Sequence, residues 1–105
     1  MINDILTAAG VQYRRSRFLH PPAGTYAVYT DDVTAGGADG INCIFTHDYT
    51  VELYEPSPDD AAEAAIEAAL DAVGREWEKQ DRYWLQDVQR YQVVYTFTHI
   101  EKRRY

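Results

Sequence analysis

The groups able to do chemistry in this chain are two serines, one thiol, three imidazoles and an excess of carboxylates. Ser57 precedes Pro58-Asp59-Asp60 and reads as a helix cap, which leaves Ser16, within Arg14-Arg15-Ser16-Arg17, as the hydroxyl open to a nucleophilic role. A serine nucleophile needs a base held against it, and that run supplies only guanidinium groups. Cys43 sits on the apolar register of an alternating stretch, where a thiol packs as a small hydrophobe. His47 and His99 fall on the apolar registers of two separate stretches, so pairing those stretches would bring two imidazoles together. Two ligands fall short of the three or four donors that a stable zinc site uses, and the nearby acids read as lying on the opposite face. His20, ahead of Pro21-Pro22, reads as a surface loop residue. The carboxylate pairs Asp31-Asp32 and Glu76/Glu78 show no shared cleft in which one could act as acid and the other as base, so they read as solvated. Gly36-Gly37-Ala38-Asp39-Gly40 lacks the lysine and the following helix of a phosphate loop. No catalytic, cofactor-binding or metal-binding residue emerges.

The elements that would position these residues fit one domain, since 105 residues leave no room for a second core. Residues 2–9 place Ile2, Ile5, Leu6 and Ala9 at helical spacing before Gly10, which predicts a short helix. Residues 11–18 read as a short strand or an extended arm, and His20-Pro21-Pro22-Ala23-Gly24 forces a turn. Residues 25–32 read as a strand ended by Asp31-Asp32, and residues 33–40, with three glycines, as a flexible loop. From Ile41 to Leu53 the odd positions are Ile, Cys, Phe, His, Tyr, Val and Leu while polar residues fill most even ones, the period of a strand with one buried face. Ser57 as N-cap and Pro58 at the first turn open a second helix, whose stripe Ala62, Ile66, Ala69, Leu70, Val73 ends at Gly74. A short strand around Trp77, an undecided stretch over 84–87 and a final strand over 91–100 follow, with 101–105 as a charged tail that discourages edge pairing. The expected fold is α+β in the order α-β-β-α-β-β, a four-stranded, mainly antiparallel sheet with the long helix packed on one face.

Composition narrows the function. Ten Lys and Arg against 17 Asp and Glu leave a formal charge of −7, which opposes gripping a phosphate backbone but suits a surface along which DNA slides. One cysteine rules out an internal disulfide. No signal-peptide pattern opens the chain and no run of about 18 apolar residues occurs, so folding in the cytosol and no membrane partner are expected. Nine tyrosines exceed core needs, and tyrosine is enriched at protein contacts.

Taken together, Tyr26-Ala27-Val28-Tyr29 after a proline-rich turn, the glycine loop, Val51-Glu52-Leu53-Tyr54, the helix over 61–73 and the closing run from Asp87 to Phe97 resemble the small tail completion proteins of long-tailed bacteriophages and prophages, the tail terminator or tail-to-head joining family. That resemblance implies a non-catalytic subunit that forms a ring, often a hexamer, at the head-proximal end of the tail tube. It implies a tail tube protein and a head-tail connector protein as partners, DNA passing through without specific binding, a place in the virion tail, and host cytoplasm as the site of assembly. Contacts in such a ring are heterologous. The contact residues expected here are Arg14, Arg15, Arg17, Tyr29, Asp31, Asp32, Gly36, Gly37 and Asp39. The competing expectation is a ligand-binding or enzymatic α+β domain, with His47, His99 and Tyr95 lining a pocket between sheet and helix.

Overall fold

The computed structural model describes residues 1–37 and 42–104, in the order α1 (Ile2–Ala9), β1 (Gln12–Arg15), β2 (Tyr26–Gly37), β3 (Asn42–Glu55), α2 (Asp60–Ala72), β4 (Trp77–Lys79), β5 (Tyr83–Leu85) and β6 (Arg90–Arg104). The expected four-stranded sheet is corrected: among the described residues six strands form one mixed sheet ordered β1-β2-β3-β6-β4, with β5 on the same side of β6 as β4. β1 runs parallel to β2 and the other pairings are antiparallel. Two short helices, of 8 and 13 residues, accompany the sheet, and the second is not the long helix expected to cover it.

The long central pairings explain the correction. β2 pairs with β3 without interruption from Tyr26↔Tyr54 to Gly37↔Cys43, so Asp31-Asp32 and the stretch 33–37 are strand, not a strand end and a flexible loop. Ala38, Asp39 and Gly40 lie outside the described residues. β3 pairs with β6 from Glu55↔Tyr91 to Asn42↔Arg104, so residues 101–104 are ladder and not a tail. Each ladder hydrogen bond satisfies backbone groups at every step, which outweighs the weak strand preference of Asp and Gly.

The period of two sends odd residues of the three long strands to one face. In register this gives the rows Ala27–Leu53–Val93, Tyr29–Val51–Tyr95, Asp31–Tyr49–Phe97 and Val33–His47–His99. The first three rows are almost wholly buried with Ile2, Ile5 and Leu6 of α1 and Ile66, Ala69 and Leu70 of α2, forming the core. From the fourth row outward only partial burial remains, and the three-stranded ribbon runs on within a molecule 50 Å long and 27 Å wide. The opposite face carries a smaller aromatic cluster, Phe18 edge-on to Tyr26 and Tyr26 stacked on Tyr54 at 5.1 Å.

Helix ends follow local chemistry. Gly10 closes α1 at φ 73, and Gly74 closes α2 at φ 70 with its N–H on the Asp71 carbonyl and the Arg75 N–H on the Leu70 carbonyl. α2 starts later than expected: Asp59, not Ser57, is the cap, its Oδ1 accepting from the Ala62 N–H at 3.0 Å. Asp59 Oδ2 also accepts from the Thr25 hydroxyl at 2.6 Å, which ties the helix start to the start of β2 and favours Asp59 over the serine two residues earlier.

Candidate assembly surface

The ribbon at the edge of the core holds a charged cluster that crosses three successive rows. His47, in the middle of β3, has Asp31 of β2 on one side and Glu101 of β6 on the other. Its Nδ1 lies 3.0 and 2.9 Å from the two Asp31 carboxylate oxygens, and its Nε2 lies 3.1 Å from Glu101 Oε1. Both ring nitrogens meet carboxylate acceptors, an arrangement that favours the doubly protonated ring. The Asp31 and Glu101 hydrogen bonds accordingly raise its pKa above the usual histidine value. Glu101 is held below the ordinary carboxylate range by Arg103 first and His47 second. The neighbouring His99, with its ring 6.0 Å from that of His47, goes the other way: burial and the Arg75 charge lower its pKa, and its Nδ1 accepts from Arg75 Nη2 at 2.7 Å. Two imidazoles side by side thus have their pKa values shifted in opposite directions.

The two histidines meet as their registers required, paired directly across β3 and β6. The acids, however, share their face: Asp31 and Glu101 occupy odd positions, contrary to the sequence expectation, and they use both His47 nitrogens. Among the described residues no group of three or more His, Cys, Asp or Glu is arranged to hold a metal.

A second cluster was missed in the sequence. Glu55 ends β3 on the odd, core-facing register, fully buried, and Glu63 of α2 is buried beside it. Arg82, between β4 and β5, reaches both: its Nε lies 3.2 Å from Glu55 Oε1, and its Nη2 lies 2.6 Å from Glu63 Oε2 and 2.7 Å from Asp60 Oδ1. Lys79 of β4 adds bonds to Glu63 at 2.9 Å and Glu67 at 2.8 Å. Burial, then the adjacent Glu63, push the Glu55 carboxyl up to about 7. Its Oε2 has no hydrogen-bond partner. The sequence carried a signal, because a carboxylate continuing the run Val51, Leu53 at period two needs a buried cation or a proton. This network clamps α2 to the β4–β5 corner and is structural.

Of the expected contact residues, Arg14 and Arg15 lie exposed on β1 and Arg17 just beyond it, with the Arg14 guanidinium 5.2 Å from the Phe18 ring centre. Tyr29 is buried beside them, its hydroxyl donating to Asn3 Oδ1 at 3.2 Å. Asp31 is committed to His47, while Asp32, Gly36 and Gly37 are exposed along β2. Asp39 lies outside the described residues. The structure therefore puts the arginines on the outer strand beside the body and the acids and glycines on the projecting ribbon.

The alternative pocket is not formed by its three residues. Tyr95 is fully buried under α2, donating to Glu67 Oε2 at 2.7 Å, and the two histidines stand a row or more outward on the ribbon. A cleft of about 690 Å³ lies instead along the 74–78 segment and β6. It is lined by Glu76 and Glu78, which thus share a cleft after all, together with Asp48 and Arg75.

No family model matches this chain, and no curated protein matches it. A solved structure does: a chain in the virion of a native gene transfer agent particle has the same fold, with a TM-score of 0.61 over 90% of this chain and 81% of that one at 17% identity.

Proposed function

We propose that this chain is a structural component of a phage-like virion, acting by assembly with copies of itself and with other virion proteins. The observation that carries the reading is the fold likeness to a chain of a gene transfer agent virion over nearly the whole length of this protein. The architecture supports it: the body is closed by two helices, while the three-stranded ribbon extends past them with paired charges and open backbone. Within that reading, the finer role is a ring at the head-proximal end of the tail tube, joining tail to head connector, with DNA passing through an acidic lumen. A net charge of −7 favours passage over retention.

Electron microscopy of the purified chain mixed with isolated tail tubes tests the role. Rings capping one tube end are expected. Tubes that stay bare at both ends, with the protein left in solution at high concentration, would refute the terminator role.

A further inference from the structure

Among the described residues, both outer edges of the ribbon are open where it leaves the body. β1 covers β2 only as far as Tyr29, and β4 and β5 cover β6 only as far as Phe97. Residues 30–37 of β2 and 98–104 of β6 therefore form two bare edges on opposite sides of one three-stranded ribbon, each on the order of 20 Å long. Two hydrogen bonds set their phase. The Ser16 N–H reaches the Tyr29 carbonyl at 2.8 Å, so the outward backbone groups of β2 continue at Asp31, Val33 and Ala35. The Gln80 N–H reaches the Val94 carbonyl at 2.9 Å, so those of β6 continue at Thr98, Ile100 and Lys102.

The edges differ in charge. Residues 30–37 carry Asp31 and Asp32 and no Lys or Arg, whereas residues 98–104 carry Lys102, Arg103 and Arg104 against Glu101. Neither stretch contains a proline, and the register with β3 runs through both without a bulge. Like edges repel each other and unlike edges attract, which disfavours a two-fold pairing and favours a head-to-tail one. Val33 and Ile100, half or more exposed, add apolar area on the same stretches.

We propose that the β2 edge over residues 30–37 pairs with the β6 edge over residues 98–104 of a second copy, extending the sheet from subunit to subunit. This rests on the assembly reading above and assigns its self-contact. Pairing of this kind takes its affinity from main-chain hydrogen bonds and its direction from the charges.

The test uses Val33→Pro and Ile100→Pro in the full chain. Each removes an outward N–H and spares the ladder to β3, the position where a strand tolerates proline. Sedimentation velocity should show wild type associating, each variant monomeric with wild-type circular dichroism, and a 1:1 mixture forming a dimer with one copy of each, because each variant keeps the edge the other lacks. Either variant assembling like wild type, a mixture that stays monomeric, or wild type monomeric up to millimolar concentration overturns the proposal. Should proline unfold the chain, Lys102→Glu decides: association weaker on the order of tenfold is expected, and unchanged association overturns it. Rings on tail tubes formed equally well by the proline variants would sink the edge contact while leaving the virion role standing.

Discussion

At the scale of single residues, the half-buried His47 cluster and the buried Glu55 cluster make the stability of this protein depend on pH in separable ways. The hydrogen bonds to Asp31 and Glu101 raise the folded pKa of His47 above the ordinary 6.5; its contribution is full below that value and is lost as pH rises through the folded pKa. Glu101 has the opposite sign, contributing above about 4.5 and losing its contribution as pH falls. The cluster is therefore strongest between those two values. Thermal melts of wild type and His47→Gln between pH 6 and pH 9 should converge as pH rises, and a constant gap would contradict the raised His47 pKa. Glu55 is separable by substitution. With its carboxyl pushed up to about 7, the folded state holds a proton that the unfolded chain gives up, so stability falls as pH climbs from about 4.5 through 7. Glu55→Gln removes that ionisation, and its stability relative to wild type should improve by on the order of 1 kcal/mol between pH 5 and pH 8 in urea titrations.

At the scale of elements, the start of α2 shows what a sequence motif leaves open. Ser57-Pro58-Asp59-Asp60 offers two caps, and both have the right chemistry. Asp59 takes the role because one carboxylate can hold the Ala62 N–H and the Thr25 hydroxyl together, a contact made across 34 positions of chain. Asp59→Ala should cost about 1 to 2 kcal/mol in urea unfolding, and Ser57→Ala less than about 0.5. Equal costs would return the cap to Ser57. The sheet edges follow the same logic. β4 is the short strand expected around Trp77, which packs edge-on against Tyr95, whereas the three-residue β5 has little pattern of its own and forms on the edge that β6 offers.

At the scale of the whole molecule, net charge bears on the proposed passage of DNA. Seven more acids than bases oppose the counterion release that drives binding to a duplex. Concentrated protein, assembled or not, should leave duplex DNA unshifted in a gel at about 0.15 M salt. Submicromolar retention would be incompatible with an acidic sliding surface. The same scale separates a body with a closed core from a ribbon whose two outer strands, among the described residues, pair on one side only.

The sequence by itself determined the elements whose pattern is internally complete. Ile2, Ile5 and Leu6 before Gly10 mark α1, the odd residues from Cys43 to Leu53 mark β3, and Tyr91 to Phe97 mark the centre of β6, because burial of one face needs only the right period. Placing His47 beside His99 followed from those registers alone. The tertiary structure decided everything that depends on a partner strand: that Asp31-Asp32 and Gly36-Gly37 are strand, that residues 101–104 are paired, and that a parallel β1 and the short β4 and β5 complete the sheet. It also decided that Glu55 finds Arg82. Local preferences in such segments are weak, up to about 1 kcal/mol per residue, and a ladder or a buried hydrogen-bond partner supplied from elsewhere in the chain overrides them.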